Sequence, residues 1–497
     1  MADTGKQRLE AIFRALPCDF PLREAQGLPI TCPADGSVIA CLAPDTKQSL
    51  GHKIQRARAA QQAFCQLKRS RREALLEKLS MAIREHRDLL AELITLEAGK
   101  TGKEALAEAD GSADILLKTI KDAALPKLNG MIRCKEQPPA GIVGLITSFN
   151  FPLVVANWTI APALLAGNGV VWKPSEKTPL AALAYKAVFD KAAAAHGDLL
   201  QVIVGGRDIG EMLVAHENID MISATGSVAM GQGIKAALAQ KKNNDMRPIL
   251  ELGGNNGVII SDKMSEKHLD WSLQSLLNSF FGTSGQRCTN TRRLIVHQNM
   301  IDNAVELLRQ KVEAFLARGS SAWEEYGYGP LIDADAYSRF ERAKKRVSEE
   351  GGEILFGKRL LKETPAAYYV EPALALMPAH TALMHEETFA PILFIVPYDG
   401  GIDEAIGMVN APANAGLVNG IYTQSQAEAD RFAAANEAGH SVINPPRGTG
   451  TPAFGMGFGG NKDSGEGEIL NAADPLRPFT REERYRRIAQ NKEIGMF

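Results

Sequence analysis

Between residues 141 and 260 the chain alternates short apolar runs with stretches of helical periodicity, and no other feature constrains its fold as tightly. The runs are Gly141–Thr147, Gly169–Trp172, Leu200–Val204, Met221–Ser223 and Val258–Ile260. Leu153–Leu165 and Thr178–Ala195 lie between them with helical character. Short apolar runs bounded by turn residues suit strands buried on both faces, and their alternation with helices predicts a parallel sheet covered on both sides. A second α/β region follows, with strands expected at Arg293–Val296 and Pro391–Val396 and helices at Met300–Ala317 and Ala334–Glu350. Upstream, residues 52–120 read as helices: in Arg71–Ile83 apolar residues recur at three- and four-residue steps.

A chain of 497 residues has length for two or three domains. Its formal net charge of −2 gives no electrostatic reason to expect nucleic acid or an anionic membrane as partner. The basic clusters Lys68, Arg69, Arg71, Arg72 and Arg481, Arg484, Arg486, Arg487 read as solvated helix faces. The cysteines, Cys18, Cys32, Cys41, Cys65, Cys134 and Cys288, form no Cys-x-x-Cys pair and are too sparse for a disulfide framework. The histidines show no metal-ligand spacing, so no metal is expected. The first residues lack an apolar signal core, and no apolar run approaches about 18 residues. A cytoplasmic protein without a membrane partner is the expectation, in a compartment where a free thiol survives.

Gly455-Met456-Gly457-Phe458-Gly459-Gly460 satisfies the G-x-G-x-x-G pattern, yet no strand closely precedes it and no helix opens from it. A loop that allows close backbone packing is the plainer reading. Ile222–Gln232 is the better dinucleotide candidate. A strand ends at Ser223 and a helix can begin at Ser227, so its first amides and positive dipole end would face a pyrophosphate, with Gly226 permitting close approach. Gly-Ser is also an ordinary helix cap. Lys173 and Glu176 follow the run Gly169–Trp172 at its carboxyl end, where ligands bind open α/β sheets; Pro174 and Glu176 would equally suit a helix start.

Cys288 lies in a glycine-broken loop, Phe280–Thr289, and Glu251 in Leu250-Glu251-Leu252-Gly253-Gly254-Asn255-Asn256. A thiol is a good nucleophile for a carbonyl carbon, and a carboxylate can activate water against the thioester that results. Alone, such a cysteine is more often a buried structural thiol. A glutamate closing the apolar run Pro248–Leu252 is an odd choice for packing, because burying an unpaired carboxylate is costly. Asn150, before Phe151 and Pro152, could cap the following helix or serve as an amide donor.

Leu250–Asn255, Gly285–Cys288, Thr147–Pro152, Trp172–Glu176, Gly226-Ser227 and Glu386–Pro391 occur together in an order and spacing that resemble the aldehyde dehydrogenase superfamily, over about residues 50 to 470. The resemblance implies an aldehyde dehydrogenase-like α/β fold: a Rossmann-type NAD-binding domain, an α/β catalytic domain and a small β oligomerisation arm. It implies an NAD-binding domain over 1–122 and 141–251 and a catalytic domain over 252–442. It also implies a glycine-rich substrate-entrance segment over 443–476, returning to the NAD-binding domain, and an oligomerisation element over 123–140 and 477–497, in a homodimer or homotetramer. The implied chemistry is NAD-dependent oxidation of an aldehyde through a Cys288 thiohemiacetal and thioester, with Asn150 and the Cys288 N–H holding the oxyanion and Glu251 activating water. Relatives that pass the acyl group to coenzyme A commonly lack this acid, so Glu251 favours hydrolysis. NAD would contact Ser148, Phe149, Lys173, Ser175, Glu176, Gly206, Gly210, Thr225, Gly226, Ser227, Leu252, Gly253, Glu387 and Phe389. Glu176 would hydrogen-bond the adenosine ribose and repel a 2′-phosphate, favouring NAD over NADP. Arg287, Phe151, Thr289 and Phe454 would meet the aldehyde.

Glu251–Asn256, Gly285–Ile295 and His385–Leu393 look most like the antiquitin-like branch, which oxidises α-aminoadipate semialdehyde. Arg287 could then pair with a substrate carboxylate, or form an ordinary structural ion pair. The loop Asn444–Phe454, the ending Ser464–Glu468 and the tail from Pro475 depart from that branch. Succinylglutamate semialdehyde or an aromatic aldehyde is the alternative substrate. Two rivals come from other classes. A thiol hydrolase or acyltransferase would need a histidine base, His297 being the nearest in sequence to Cys288. A catalytically retired binding protein would have lost the nucleophile or the base.

Overall fold

Two parallel sheets organise the chain in a computed structural model that describes residues 2–16, 27–123, 138–241, 248–450, 457–466 and 476–480. A hairpin of β1 (Leu28–Thr31) and β2 (Val38–Leu42) precedes them. The first sheet contains β3 (Ile142–Ile146), β4 (Gly169–Lys173), β5 (Leu200–Val202), β6 (Met221–Thr225) and β7 (Ile249–Glu251). The second contains β8 (Asn256–Ile260), β9 (Thr291–His297), β10 (Glu353–Phe356), β11 (Ala373–Leu376), β12 (Ile392–Tyr398), β13 (Val418–Tyr422) and β14 (His440–Ile443).

The first sheet runs β7-β6-β3-β4-β5, all parallel, and β15 (Gly465–Glu466) adds an antiparallel edge on β7. Strand order therefore reverses between β3 and β6, the topological switch point at which open α/β sheets bind ligands. The second sheet runs β10-β11-β12-β9-β8-β13-β14, with only β10 antiparallel.

Why the strands read as unbroken apolar runs is plain from their two faces. Val143, Leu145, Val170 and Trp172 join one core, while Ile142, Ile146, Val171 and Ile222 join another on the opposite face. In the second sheet Ile259, Ile295, Phe394 and Val396 pack on one side and Val258, Ile260, Leu294 and Val296 on the other. Alternate residues are thus both buried, as parallel sheets demand. The helices Arg69–Glu85, Arg87–Ala98, Gly102–Asp122 and Pro179–Ala193 supply the first core.

The expected elements are present, with ends displaced by a few residues. The strands expected at Gly141–Thr147 and Leu200–Val204 shorten to β3 and β5, and the one at Met221–Ser223 extends to Thr225. β7, β10, β11, β13, β14 and the hairpin were not expected. Each has three to five residues, too few to show a period. Of the two segments expected to form an oligomerisation arm, most residues lie outside the described ones. The described ends meet: Ala140 N–H donates to the Phe479 carbonyl at 3.0 Å, and Pro139 bridges Thr480. Among the described residues no helix is long and apolar enough to cross a membrane, and no cluster of three His, Cys, Asp or Glu side chains could hold a metal ion.

Candidate active site

A cleft of 720 Å³ lies between the two sheets. The carboxyl ends of β3, β4, β6 and β7 reach it through Ser148, Lys173, Thr225 and Glu251. From the second sheet it is reached by residues that precede strands: Cys288 ahead of β9, and Glu387 and Phe389 ahead of β12. The connection 252–255 between β7 and β8 runs along it, contributing Leu252 and Gly253.

On the side of the first sheet, Ser227 caps the helix Val228–Ala239, its Oγ accepting the Met230 N–H at 3.2 Å. Both ordinary capping and ligand binding are therefore open to this turn, since Thr225, Gly226, Ser227 and Met230 all face the cleft beside the switch point. Lys173 Nζ lies 3.1 Å from Glu176 Oε2. Burial raises the affinity of Glu176 for its proton, but Lys173 and Lys177 outweigh it and hold the carboxyl below its ordinary range. Glu176 thus faces the cleft as an anion, with Ser175 beside it. These groups suit a dinucleotide: an open helix N-terminus for phosphate and a carboxylate acceptor for ribose hydroxyls. Gly206 and Gly210 are not among the cleft-lining residues. They sit at the start of the helix Arg207–Ala215, behind Lys173.

The loop carrying Cys288 is held from many directions. Thr283, Ser284 and Gly285 all have left-handed backbones, at φ 50°, 52° and 72°. A Cβ at Gly285 would lie 2.4 Å from the Ala390 carbonyl carbon, so only glycine fits. Arg292, buried, donates to the carbonyls of Gly285 (2.5 Å), Arg287 (2.9 Å) and Ala390 (3.1 Å). Asn290 Oδ1 accepts the Arg287 N–H at 2.6 Å. The run Gly253–Asn256 has a purpose at each residue. Glu387 accepts the Gly254 N–H at 3.1 Å and crowds Gly253. A Cβ at Gly254 would sit 2.5 Å from the Cys288 carbonyl oxygen. Asn255 donates to the Met384 carbonyl at 2.8 Å, and Asn256 to the Cys288 carbonyl at 2.8 Å.

Asn150 does not cap the following helix. Glu108 takes that role, accepting the N–H groups of Leu153 (2.9 Å) and Val154 (3.4 Å) while paired with Lys100 at 2.6 Å. The Asn150 amide instead accepts from Ser148 Oγ at 2.7 Å and donates from Nδ2 to the Gln286 carbonyl at 2.9 Å. An amide nitrogen carries two protons, so this fixes the group against the loop that carries Cys288 and leaves one donor uncommitted to Gln286.

Burial pushes the Cys288 thiol up to about 12, and the carboxylates of Glu387 and Glu251 add to the rise against Arg292 and the cysteine's own N–H. Glu251 is itself raised well above the carboxylate range by burial, and its Oε2 has no hydrogen-bond partner. Burial lifts Glu387 to about 7, against Arg292 and the Gly254 N–H. Proton-holding groups therefore gather around one sulfur. Phe389 (φ 53°) packs edge-on to Phe149 with ring centres 6.0 Å apart.

At the far end Arg287 adopts the ion-pair alternative. Its Nη2 reaches Glu104 Oε1 at 2.5 Å and its Nε reaches Thr283 Oγ1 at 2.8 Å, although the side chain still lines the cleft beside Phe151 and Thr289. Phe454 lies outside the described residues. Sequence reasoning missed Ile115, Lys118, Val154, Val155, Trp158 and Phe458, all cleft-lining, with Trp158 and Phe458 rings 4.9 Å apart. Helix Val154–Leu165 is apolar nearly all round, so no periodicity marks the face carrying Trp158. Gly457 and Phe458, from the glycine-rich pattern set aside as a nucleotide motif, line this end as well. Among the described residues no histidine lines the cleft. His297 packs edge-on to Tyr398, ring centres 5.0 Å apart, and accepts the Asn299 N–H at 3.2 Å.

Residues 22–482 match the model of the aldehyde dehydrogenase family. The chain is 30% identical over 448 residues to the alpha-aminoadipic semialdehyde dehydrogenase of Rattus norvegicus, covering 88% of this chain and 81% of that protein. Aldehyde dehydrogenase family 7 member B4 of Arabidopsis thaliana is 28% identical over 452 residues, covering 88% and 85%. Among solved structures, 3,6-anhydro-L-galactose dehydrogenase in complex with NAP superposes with a TM-score of 0.83 at 29% identity, covering 92% of this chain and 95% of that one.

Proposed function

Because the chain belongs to the aldehyde dehydrogenase family, whose members are NAD(P)-dependent enzymes acting on small aldehydes, we propose that this cleft oxidises a carboxylated semialdehyde to its acid with NAD. One observation carries the reading. Cys288, Glu251 and Asn150 line a single cleft with the groups that suit a dinucleotide.

Cys288 attacks the aldehyde carbon as the thiolate. The resulting oxyanion is held by Asn150 Nδ2 and the Cys288 N–H, and one such donor is worth about 10²–10³ in rate. A bound nicotinamide dinucleotide serves as hydride acceptor. Phe149 and Phe389, which line the cleft together, would pack near its ring, and Glu387 would hydrogen-bond the neighbouring ribose. After hydride loss a thioester remains on Cys288. Glu251 then takes a proton from the water that hydrolyses it. Burial raises its pKa, which makes the ionised carboxylate a stronger base than it is in water. Glu176 favours NAD, since a second anion there repels a 2′-phosphate. The α-aminoadipate semialdehyde reading is supported by relatives of that name at 30% identity. Arg287 lines the far end already paired with Glu104, so the reading rests on those relatives and not on a free cation there. A cytoplasmic homodimer or homotetramer completes the proposal.

Its test is steady-state kinetics with NAD and NADP against carboxylated, aliphatic and aromatic aldehydes. A higher kcat/KM for uncharged aldehydes than for carboxylated ones of equal length would refute the substrate class. Hydrolysis of thioesters without aldehyde oxidation would refute the whole.

A further inference from the structure

Behind the cleft, three buried hydroxyls join the substrate-entrance segment to the nucleophile loop. Ser279 lies in the last turn of the helix Glu266–Phe281, Thr291 opens β9 just after Cys288, and Thr449 lies in the turn Gly448–Gly450. Ser279 Oγ is 2.9 Å from Thr291 Oγ1 and 3.1 Å from Thr449 Oγ1, and the two threonine oxygens are 2.7 Å apart. Their residues are 0%, 1% and 0% exposed.

Three hydroxyls in a closed triangle can each donate to the next, so none is left unpaired. Ser279 Oγ also accepts the Thr291 N–H at 3.0 Å. The backbone is as tight as the hydroxyls. Gly448 has φ 55°, and a Cβ there would lie 2.7 Å from Ser279 Cβ. Further back the segment is tied down again. Tyr422 donates to the Pro445 carbonyl at 2.7 Å, and Asn444 exchanges two hydrogen bonds with the Thr423 backbone, both 3.0 Å. On the other side the Ser279 carbonyl accepts from Asn290, which holds the Arg287 N–H. Buried hydroxyls are costly unless paired, so this triangle selects one arrangement where apolar side chains would permit several.

We propose that Thr449 is a positioning residue for the aldehyde. Through the triangle it holds Gly450 in the cleft wall and so sets how tightly substrate binds, without touching it. The inference rests on reading the cleft as an aldehyde site. Thr449→Val keeps the shape and removes the hydroxyl. The aldehyde KM should rise roughly three- to tenfold, the equivalent of one lost buried hydrogen bond. Saturated kcat should stay within about twofold and NAD affinity, read by fluorescence, should not change. Thr449→Ser should restore the native KM. Amide hydrogen exchange should accelerate at 444–450 and stay native at 282–290.

A native KM with native exchange in Thr449→Val overturns the proposal. So does failure of Thr449→Ser to restore binding, or loss of kcat, KM and NAD affinity together. If Thr449→Val does not fold, Ser279→Ala must show the same split, and a native KM there is equally fatal. A native protein that oxidises no aldehyde would refute the reading of the cleft instead, and the exchange measurement would still decide whether Thr449 pins the segment.

Discussion

Asn256 donates from Nδ2 to the carbonyl oxygen of Cys288 at 2.8 Å and to that of Asn290 at 2.7 Å, so the strand that follows Glu251 fixes the backbone of Cys288. Asn256→Ala leaves two carbonyls short of a donor, at a cost of about 1–3 kcal/mol each where they are buried. We expect lower thermal stability and a kcat reduced more than NAD affinity. A kcat equal to native would show that the loop keeps its geometry without Asn256.

Cys288→Ser should abolish aldehyde oxidation while leaving NAD binding nearly intact, because a serine hydroxyl is a far weaker acid than a thiol and a poorer nucleophile for a carbonyl carbon. In the free native protein the thiol is raised to about 12. Its alkylation by iodoacetamide should therefore accelerate about tenfold per pH unit from pH 7 to 9, without a plateau. A plateau near neutrality would mean that the thiolate is already formed there.

Glu251→Gln should separate the half-reactions. Hydride transfer needs Cys288 and Asn150, so rapid mixing should give a burst of about one NADH per site, followed by slow turnover. Intact-mass measurement should find the acyl group still on Cys288. Native steady-state turnover in the variant would remove Glu251 from deacylation.

The same substitution has a stability signature. Burial raises Glu251 above its unfolded value, so the folded state holds more protons through the window between the two. Stability from this group is complete below the ordinary carboxylate range and is lost as pH rises toward the folded pKa. Glu251→Gln removes that loss. Its apparent melting temperature should match the native one near pH 4 and exceed it increasingly as pH rises to 7. A constant difference across this range would contradict the burial of an ionisable group.

Glu176→Gln should narrow any preference for NAD over NADP by removing the anion paired with Lys173. If the native protein has the higher kcat/KM with NADP, the role given to Glu176 is wrong.

How far the site was legible follows from where its partners lie in the chain. Cys288 and Glu251 sit in compact motifs whose residue types suit chemistry, and strand–helix alternation placed their sheets. Glu387 was marked only by the resemblance and alone could equally be a surface acid. The supports of Cys288 are of another kind. Arg287 meets Glu104 from 183 residues away, and Asn150 finds Gln286 from 136 away. No local period encodes such pairs. Asn150 showed the same limit: an asparagine ahead of a helix suits a cap, but a buried Glu108 already occupied the helix end. Strand β7 was too short to detect although it carries Glu251. Trp158 was hidden by a helix with no polar face to contrast with it.

The connection 252–255 joins the carboxyl edge of one sheet to the amino edge of the other. It bears Gly254 against the Cys288 carbonyl and delivers Glu251 at one end and Asn256 at the other. The halves are consequently not interchangeable modules. A chimera that exchanged the half built on the first sheet between relatives would have to splice through the strip that sets Glu251 against Cys288. Its success would depend on matching this handful of residues far more than on compatibility of the two large cores.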